Sequence, residues 1–236
     1  KEVKTKNYLT YGFNDKAHYQ ILKTKYKSNF TNFEIKYKNN ISKNIVIKNI
    51  TLNLIGKHNV LNATAAIAIC LNLGIKINII KKALRKFSGV QRRLTKIFTK
   101  DNKDFYDDYA HHPTEIRSVL EGIKQVYKKR KILSIFQPHR YSRIKSLKFE
   151  FSKSFSNSDL VILCPIYAAG EKKDIKYNQN NFSKIIAKNS KVQVVNIKDE
   201  IDLKKFLKIN LIKDEIIIGM GAGSISKWMI DLENKL

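Results

Sequence analysis

The sequence predicts an α/β protein whose C-terminal part is a Rossmann-like, mostly parallel sheet with helices on both faces. Beyond Gly89, short apolar stretches alternate with longer amphipathic ones, the βαβα rhythm of a parallel sheet wound with helices. Those short stretches, such as Lys131-Ile132-Leu133-Ser134-Ile135-Phe136 and Leu160-Val161-Ile162-Leu163-Cys164, are apolar nearly throughout, as strands buried on both faces must be. The chain before Gly89 has another character. Aromatic and β-branched residues fall into alternating runs first, and helical periods follow only later.

Taken in order, residues 8–13 predict a strand, broken by Gly12 and Asn14-Asp15. Residues 18–26 and 32–37 alternate, and Lys38-Asn39-Asn40 turns the chain into a strand over 44–54. After Gly56 an alanine-rich helix is expected over 59–73, closed by Gly74 as a C-cap. A second helix over 77–87 stops at Ser88-Gly89. Strands are then expected near 94–98, 104–108, 131–136, 160–164, 192–195 and 215–218. Helices are expected near 114–127, 142–155, 182–188, 201–208 and 224–236. A domain boundary at the Gly89–Leu94 stretch gives a smaller unit over 1–90 and the helix-covered sheet over 91–236.

The chain has 236 residues, enough for one large core or two modest ones. Its 43% apolar and 28% charged content is that of a globular protein. No run of about 18 uncharged apolar residues occurs, so no membrane-spanning helix is expected. Cys70 and Cys164 lie in apolar runs and read as buried thiols in a reducing compartment. Lys1-Glu2-Val3-Lys4-Thr5-Lys6 has no apolar signal core, so a cytoplasmic location is expected. The net charge of +26 raises a nucleic-acid-binding alternative. Against it, lysine is scattered along every element with no basic block, and arginine, the residue for bidentate phosphate recognition, is rare. No nucleic-acid partner is expected.

Chemistry concentrates in four polar clusters that hold four of the 5 histidines and most of the arginines. They are Gly56 to Ala63, Gln91-Arg92-Arg93, Asp107 to Pro113, and Gln137 to Arg143. Ligands of open parallel sheets bind at the carboxyl ends of strands, and two of the clusters, Asp107-Asp108-Tyr109-Ala110-His111-His112-Pro113 and Gln137-Pro138-His139-Arg140-Tyr141-Ser142-Arg143, fall at such ends. Pro113 suits a first helical turn. Arg140 and Arg143 are three apart, so a helix beginning by Tyr141 would let both forks point at one anion. Of the adjacent His111 and His112, at most one faces a common site, and His112 also suits a helix cap. Without a second spaced ligand the pair predicts no metal site. Asn59 and Asn62, three apart on a helix, can present two carboxamides to a flat heterocycle such as adenine, or Asn59 can simply cap. Arg92-Arg93 at the domain junction can offer a fork to a terminal phosphate. Gly219-Met220-Gly221-Ala222-Gly223 reads as a tight strand-to-helix turn, and Glu171 after Tyr167-Ala168-Ala169-Gly170 touches the crevice or caps a loop.

In order and spacing, these motifs together resemble the Mur ligases over essentially the whole chain. The Gln137-to-Arg143 segment favours the branch that adds L-alanine. The resemblance implies an ATP-dependent amide ligase of peptidoglycan synthesis that joins L-alanine to UDP-N-acetylmuramate through an acyl phosphate, with Mg2+ as cofactor. It implies that residues 1–90 are the C-terminal part of a P-loop-type central ATPase domain. Carried over by motif, Asn59 and Asn62 would contact adenine with His58 nearby, Arg93 the γ-phosphate, and Asp108 the ribose. Tyr109, His111, Arg140 and Arg143 would line the end where muramate and L-alanine meet, with Arg93, His111, Arg140 and Arg143 in the catalytic set. The family's Gly-x-x-x-x-Gly-Lys-Ser/Thr loop is absent from this sequence. So are the acidic and histidine metal ligands of the central domain and the UDP-binding domain. The chain alone is therefore expected to be an inactive part of such an enzyme, and a non-catalytic relic is the other alternative.

Overall fold

The computed structural model describes residues 8–27, 30–38 and 43–236. The chain divides into two compact units, Lys1–Gly89 and Val90–Leu236. No helix among the described residues is long and apolar enough to cross a membrane.

In the first unit β1 (Tyr11–Gly12), β2 (Tyr19–Tyr26), β3 (Thr31–Lys38) and β4 (Asn44–Leu52) pair in chain order. β1 runs parallel to β2, and the other pairs are antiparallel. The predicted turn at Lys38-Asn39-Asn40 lies partly outside the described residues. Alternation along β3 turns Thr31, Phe33 and Ile35 inward, where Ile47, Ile50 and Leu52 of β4 meet them. Burying a side chain such as Phe33 or Ile35 contributes about 1.5–3 kcal/mol. Between Ile47 and Ile50 the register slips, and Asn49 takes φ 57° there, a left-handed conformation that asparagine tolerates. Helices α1 (Lys57–Asn72) and α2 (Ile77–Lys86) close this core with Val60, Ala63, Ile67, Ala68 and Ile80. At the end of α1 the Gly74 and Ile75 amides reach the Leu71 and Cys70 carbonyls (both 3.0 Å), the glycine C-cap that the sequence predicts.

The second unit holds β5 (Thr95–Lys100), β6 (Lys103–Asp108), β7 (Lys131–Phe136), β8 (Leu160–Leu163), β9 (Gln193–Asn196) and β10 (Glu215–Met220). Their order is β5-β6-β10-β7-β8-β9, with every pair parallel except β5–β6. That hairpin turns on Asp101 and Asn102 alone, both at positive φ, as a two-residue primed turn requires. The crossing helices are α3 (Pro113–Val126), α4 (Tyr141–Ser146), α5 (Lys148–Ser152), α6 (Gln179–Ser190), α7 (Glu200–Asn210) and α8 (Ile225–Asp231). They cover both faces of a mostly parallel sheet, as the sequence predicts. On one face Leu203 and Leu207 of α7 and Ile225 and Met229 of α8 pack with Phe105, Leu133, Ile135 and Ile217. On the other, Phe136 meets Phe151 and Phe155, and Phe151 meets Phe182 of α6. The single helix expected over 142–155 is instead two, α4 and α5, parted at Leu147. There the Arg143 carbonyl accepts from both the Leu147 amide (3.0 Å) and the Ser146 hydroxyl (3.2 Å).

Candidate functional site

After β9 at one edge, the chain returns to insert β10 between β6 and β7, where all six of its residues are buried. The carboxyl ends of β6, β10 and β7 therefore lie side by side, and the loops leaving them share one rim, the switch point where open α/β sheets bind ligands. Backbone bonds tie that rim. The Gly221 amide reaches the Asp108 carbonyl (3.2 Å) and the Gln137 amide reaches that of Met220 (2.9 Å). Gly221 sits at φ 151°, and a Cβ on Gly223 would fall 2.5 Å from both Gln137 Oε1 and the Tyr167 ring. Close approach, rather than a phosphate cradle, explains these glycines. Gln137 completes the turn, its Oε1 accepting from the Ile225 amide (3.1 Å) and its Nε2 donating to Ser224 Oγ (3.0 Å).

The loop from β6 to α3 carries Tyr109, His111 and His112. His112 is the N-cap of α3: its Nδ1 accepts from the Thr114 amide (3.3 Å), while Glu115 accepts from the His111 (3.0 Å) and His112 (3.2 Å) amides, a capping box. His112 thus serves the helix, and His111 faces the rim. His111 Nδ1 lies 2.8 Å from the Tyr109 carbonyl, and its ring is edge-on to Tyr109 (5.0 Å) and to His139 (5.8 Å).

His139 and Arg140 come from the loop after β7. The His139 ring stacks on Tyr167 (5.7 Å, 14° between planes), and Arg143 Nη1, one helical turn on, reaches His139 Nδ1 (3.2 Å). Burial, followed by the charge of Arg143 and the neighbouring His111 and Arg140, holds the His139 pKa below its ordinary value, with Glu171 opposing. Arg140 is the N-cap of α4 at φ 67°, exposed, its amide bound to the Tyr167 carbonyl (2.9 Å). α4 begins at Tyr141, one residue before the expected start, yet the two forks are not equivalent: Arg143 is turned onto His139, and Arg140 stands free of any side-chain hydrogen bond among the described residues. Glu171 caps α4, accepting from the Ser142 hydroxyl and amide, and these bonds hold its pKa below the usual carboxylate value.

Between residues 90 and 95 the chain joins the same rim. Arg92 Nη2 donates to the Gly221 carbonyl (2.7 Å), its guanidinium covers the Tyr109 ring (4.7 Å), and its Nε lies 3.6 Å from Asp107, which also accepts from Ser226 (2.5 Å). Arg93 is 53% exposed at its side chain, 3.9 Å from Glu115, a contact too open to bind its fork firmly. Asp108 is 2% exposed, and its two oxygens accept from the Leu94 and Ala110 amides (both 2.7 Å). A buried carboxylate that accepts from two backbone donors holds the loop in place. Burial pushes its pKa up to about 6, against the pull of those amides and of Arg93.

In the first unit α1 starts at Lys57, two residues before the expected start, after Gly56 at φ 100°. Asn59 is consequently in the first turn rather than at the cap, its Nδ2 donating to the Ile55 carbonyl (2.8 Å). Asn62 is exposed one turn on, and His58 is half-buried beside Asn59. No three His, Cys, Asp or Glu side chains among the described residues are grouped to hold a metal.

Residues 92–223 match the family model described as Mur ligase, glutamate ligase domain, and residues 1–70 match the Mur ligase middle domain. The chain belongs to the Mur ligase family. It is 50% identical over 231 residues to the UDP-N-acetylmuramate--L-alanine ligase of Pelagibacter ubique, covering 98% of this chain and 50% of that protein. With the ligase of the same name from Vesicomyosocius okutanii it shares 42% over 224 residues, 92% of this chain and 46% of the relative. The chain thus spans about half the length of the curated relatives it matches. Among solved structures it superposes on the UDP-N-acetylmuramate-alanine ligase of Thermotoga maritima with TM-score 0.76 at 26% identity, over 96% of this chain and 47% of that one. Three Mur ligase rim residues, Arg92, Asp107 and Gln137, escaped sequence reasoning as individual supports. Only their position inside dense polar clusters at strand ends marked them.

Proposed function

We propose that this chain carries the amino-acid end and the adenine end of an ATP-dependent Mur ligase that joins L-alanine to UDP-N-acetylmuramate. The observation that carries the reading is the rim at β6, β10 and β7. There Tyr109, His111, Arg140 and Arg143 gather in the family whose relatives at 50% and 42% identity are L-alanine ligases. Ligation through an acyl phosphate concentrates negative charge, and preorganised cations stabilise it most where water is excluded. Arg93, weakly engaged, is free to meet a γ-phosphate, and Arg140 or Arg143 a carboxylate. Asn59 and Asn62 share a face of α1 and suit an adenine edge, with His58 adjacent. The described residues do not assemble a Mg2+ site, so the metal that ATP chemistry calls for is not assigned ligands here. ATP and a UDP-sugar as substrates fit work in the cytoplasm.

The test uses this chain fused to the remaining half of the Pelagibacter relative. Arg143→Ala should raise KM for L-alanine at least tenfold while changing KM for ATP little, and Asn62→Ala should do the reverse. Equal losses for both substrates in either variant contradict the assignment.

A further inference from the structure

Away from the rim, a cavity of about 180 Å3 lies between α4 and the loop that leads into α6. Neither Arg140, Arg143 nor the rim histidines line it. Its buried lining is apolar and largely aromatic. Ile144 and Phe182 are buried, and Tyr177 meets Tyr141 edge-on (5.6 Å between ring centres) and Phe182 at a tilt (6.3 Å). Phe182 rests in turn on Phe151, which joins this floor to the packed face of the sheet. Three lysines, Lys145, Lys148 and Lys176, line the same cavity with one acidic residue, Asp174. The Asp174 carboxylate holds its own turn, accepting from the Lys176 amide (2.9 Å). All three lysines are exposed, and none forms an ion pair among the described residues. The Tyr177 hydroxyl is buried without a hydrogen-bond partner among those residues, and burial pushes its pKa up, so it keeps its proton.

We propose that this cavity binds a small phosphate monoester, its phosphate among Lys145, Lys148 and Lys176 and its organic body on the aromatic floor. Three lysines against one aspartate leave a surplus of positive charge that suits a phosphate group, which carries about −1.5 to −2 at pH 7, better than a singly charged carboxylate. Lysine binds phosphate as a point charge, and the cavity has no arginine fork to favour a planar carboxylate. The apolar floor calls for an ester, since the free ion has nothing to bury there. Size narrows the choice further. A cavity of about 150 Å3 holds a benzene ring, so this one has room for a body of that size and none for a nucleotide. Tyr141, Ile144 and Lys145 of the cavity belong to α4, the short helix that also carries Arg143. The site goes beyond the ligase reading and stands without it.

Calorimetric titration of the chain with phenyl phosphate at constant ionic strength tests the site, and amide shifts of the ¹⁵N-labelled chain locate it. Saturable binding should shift the Tyr141, Lys145 and Tyr177 amides. The double variant Lys145→Gln/Lys176→Gln should weaken it at least tenfold. Lys205→Gln/Lys208→Gln removes the same charge from α7 and should change it less than twofold. Thermal unfolding checks that both variants are folded. Equal losses in the two would mean general attraction to a basic chain, and would overturn the site. So would an absence of saturable binding, or binding abolished by Arg140→Ala, which would place the phosphate at the rim. Inorganic phosphate should bind at least tenfold more weakly than phenyl phosphate. Equal affinity for the two overturns the ester, because the aromatic floor would then contribute nothing. No turnover is measured, so these failures leave the ligase reading untouched.

Discussion

The carboxylate of Asp108 binds the Leu94 and Ala110 amides, one on each oxygen, and so staples the exit of β6 to the segment before β5. Asp108→Asn keeps one acceptor and sets an NH2 against the other amide, and leaving that buried donor unpaired should cost about 1–3 kcal/mol in denaturant unfolding. A loss within error would show that the staple does not matter. The variant also tests a pH slope. Because the folded carboxyl titrates at about 6, above its ordinary value, the native state binds this proton more tightly than the unfolded chain does. Its contribution to stability therefore declines as pH rises toward 6, and Asp108→Asn should flatten that part of the profile. His139 acts in the opposite sense. Its folded pKa is lowered, so the unfolded chain takes the proton first and stability falls as pH drops through the ordinary histidine value. At this scale the sequence marked polar clusters that the fold brings to one rim, but not what each side chain there is bonded to. Polar density at a strand end does not distinguish His111, beside Tyr109 and His139, from His112, which caps a helix, and does not reveal that the Asp108 oxygens accept from two backbone amides.

The turn between β10 and α8 is where an element is most tightly constrained. A methyl group at Gly223 would press on Gln137 and Tyr167, the residues that seat the β7 and β8 loops. Gly223→Ala should therefore destabilise the second unit by about 1–3 kcal/mol, as overpacking does. A variant as stable as the parent would mean that the two loops yield freely. The strands of this unit were legible because burial on both faces makes them apolar throughout, a pattern that survives any lysine-rich surface. The break between α4 and α5 was not, since neither proline nor glycine marks it. The β5–β6 hairpin was also hidden: Asp101-Asn102 lacks the glycine that usually announces such a turn.

Over the whole molecule, a charge of +26 is spread along the chain as lysines, singly and in short runs such as Lys128-Lys129, while four of the 5 histidines and most of the arginines gather at a few strand ends and one helix start. If the proposed ligase reading holds, activity of the completed enzyme should depend on Arg93, Arg140 and Arg143 far more than on net charge. DNA binding with a steep salt dependence, untouched by Arg140→Ala, would instead favour the nucleic-acid alternative. The most direct measurement is phosphate release from ATP by this chain fused to the other half of the Pelagibacter ligase. The account predicts release that requires both UDP-N-acetylmuramate and L-alanine and falls by at least tenfold in Arg143→Ala at low L-alanine. A folded fusion that binds ATP yet releases phosphate independently of L-alanine, or not at all, would contradict it.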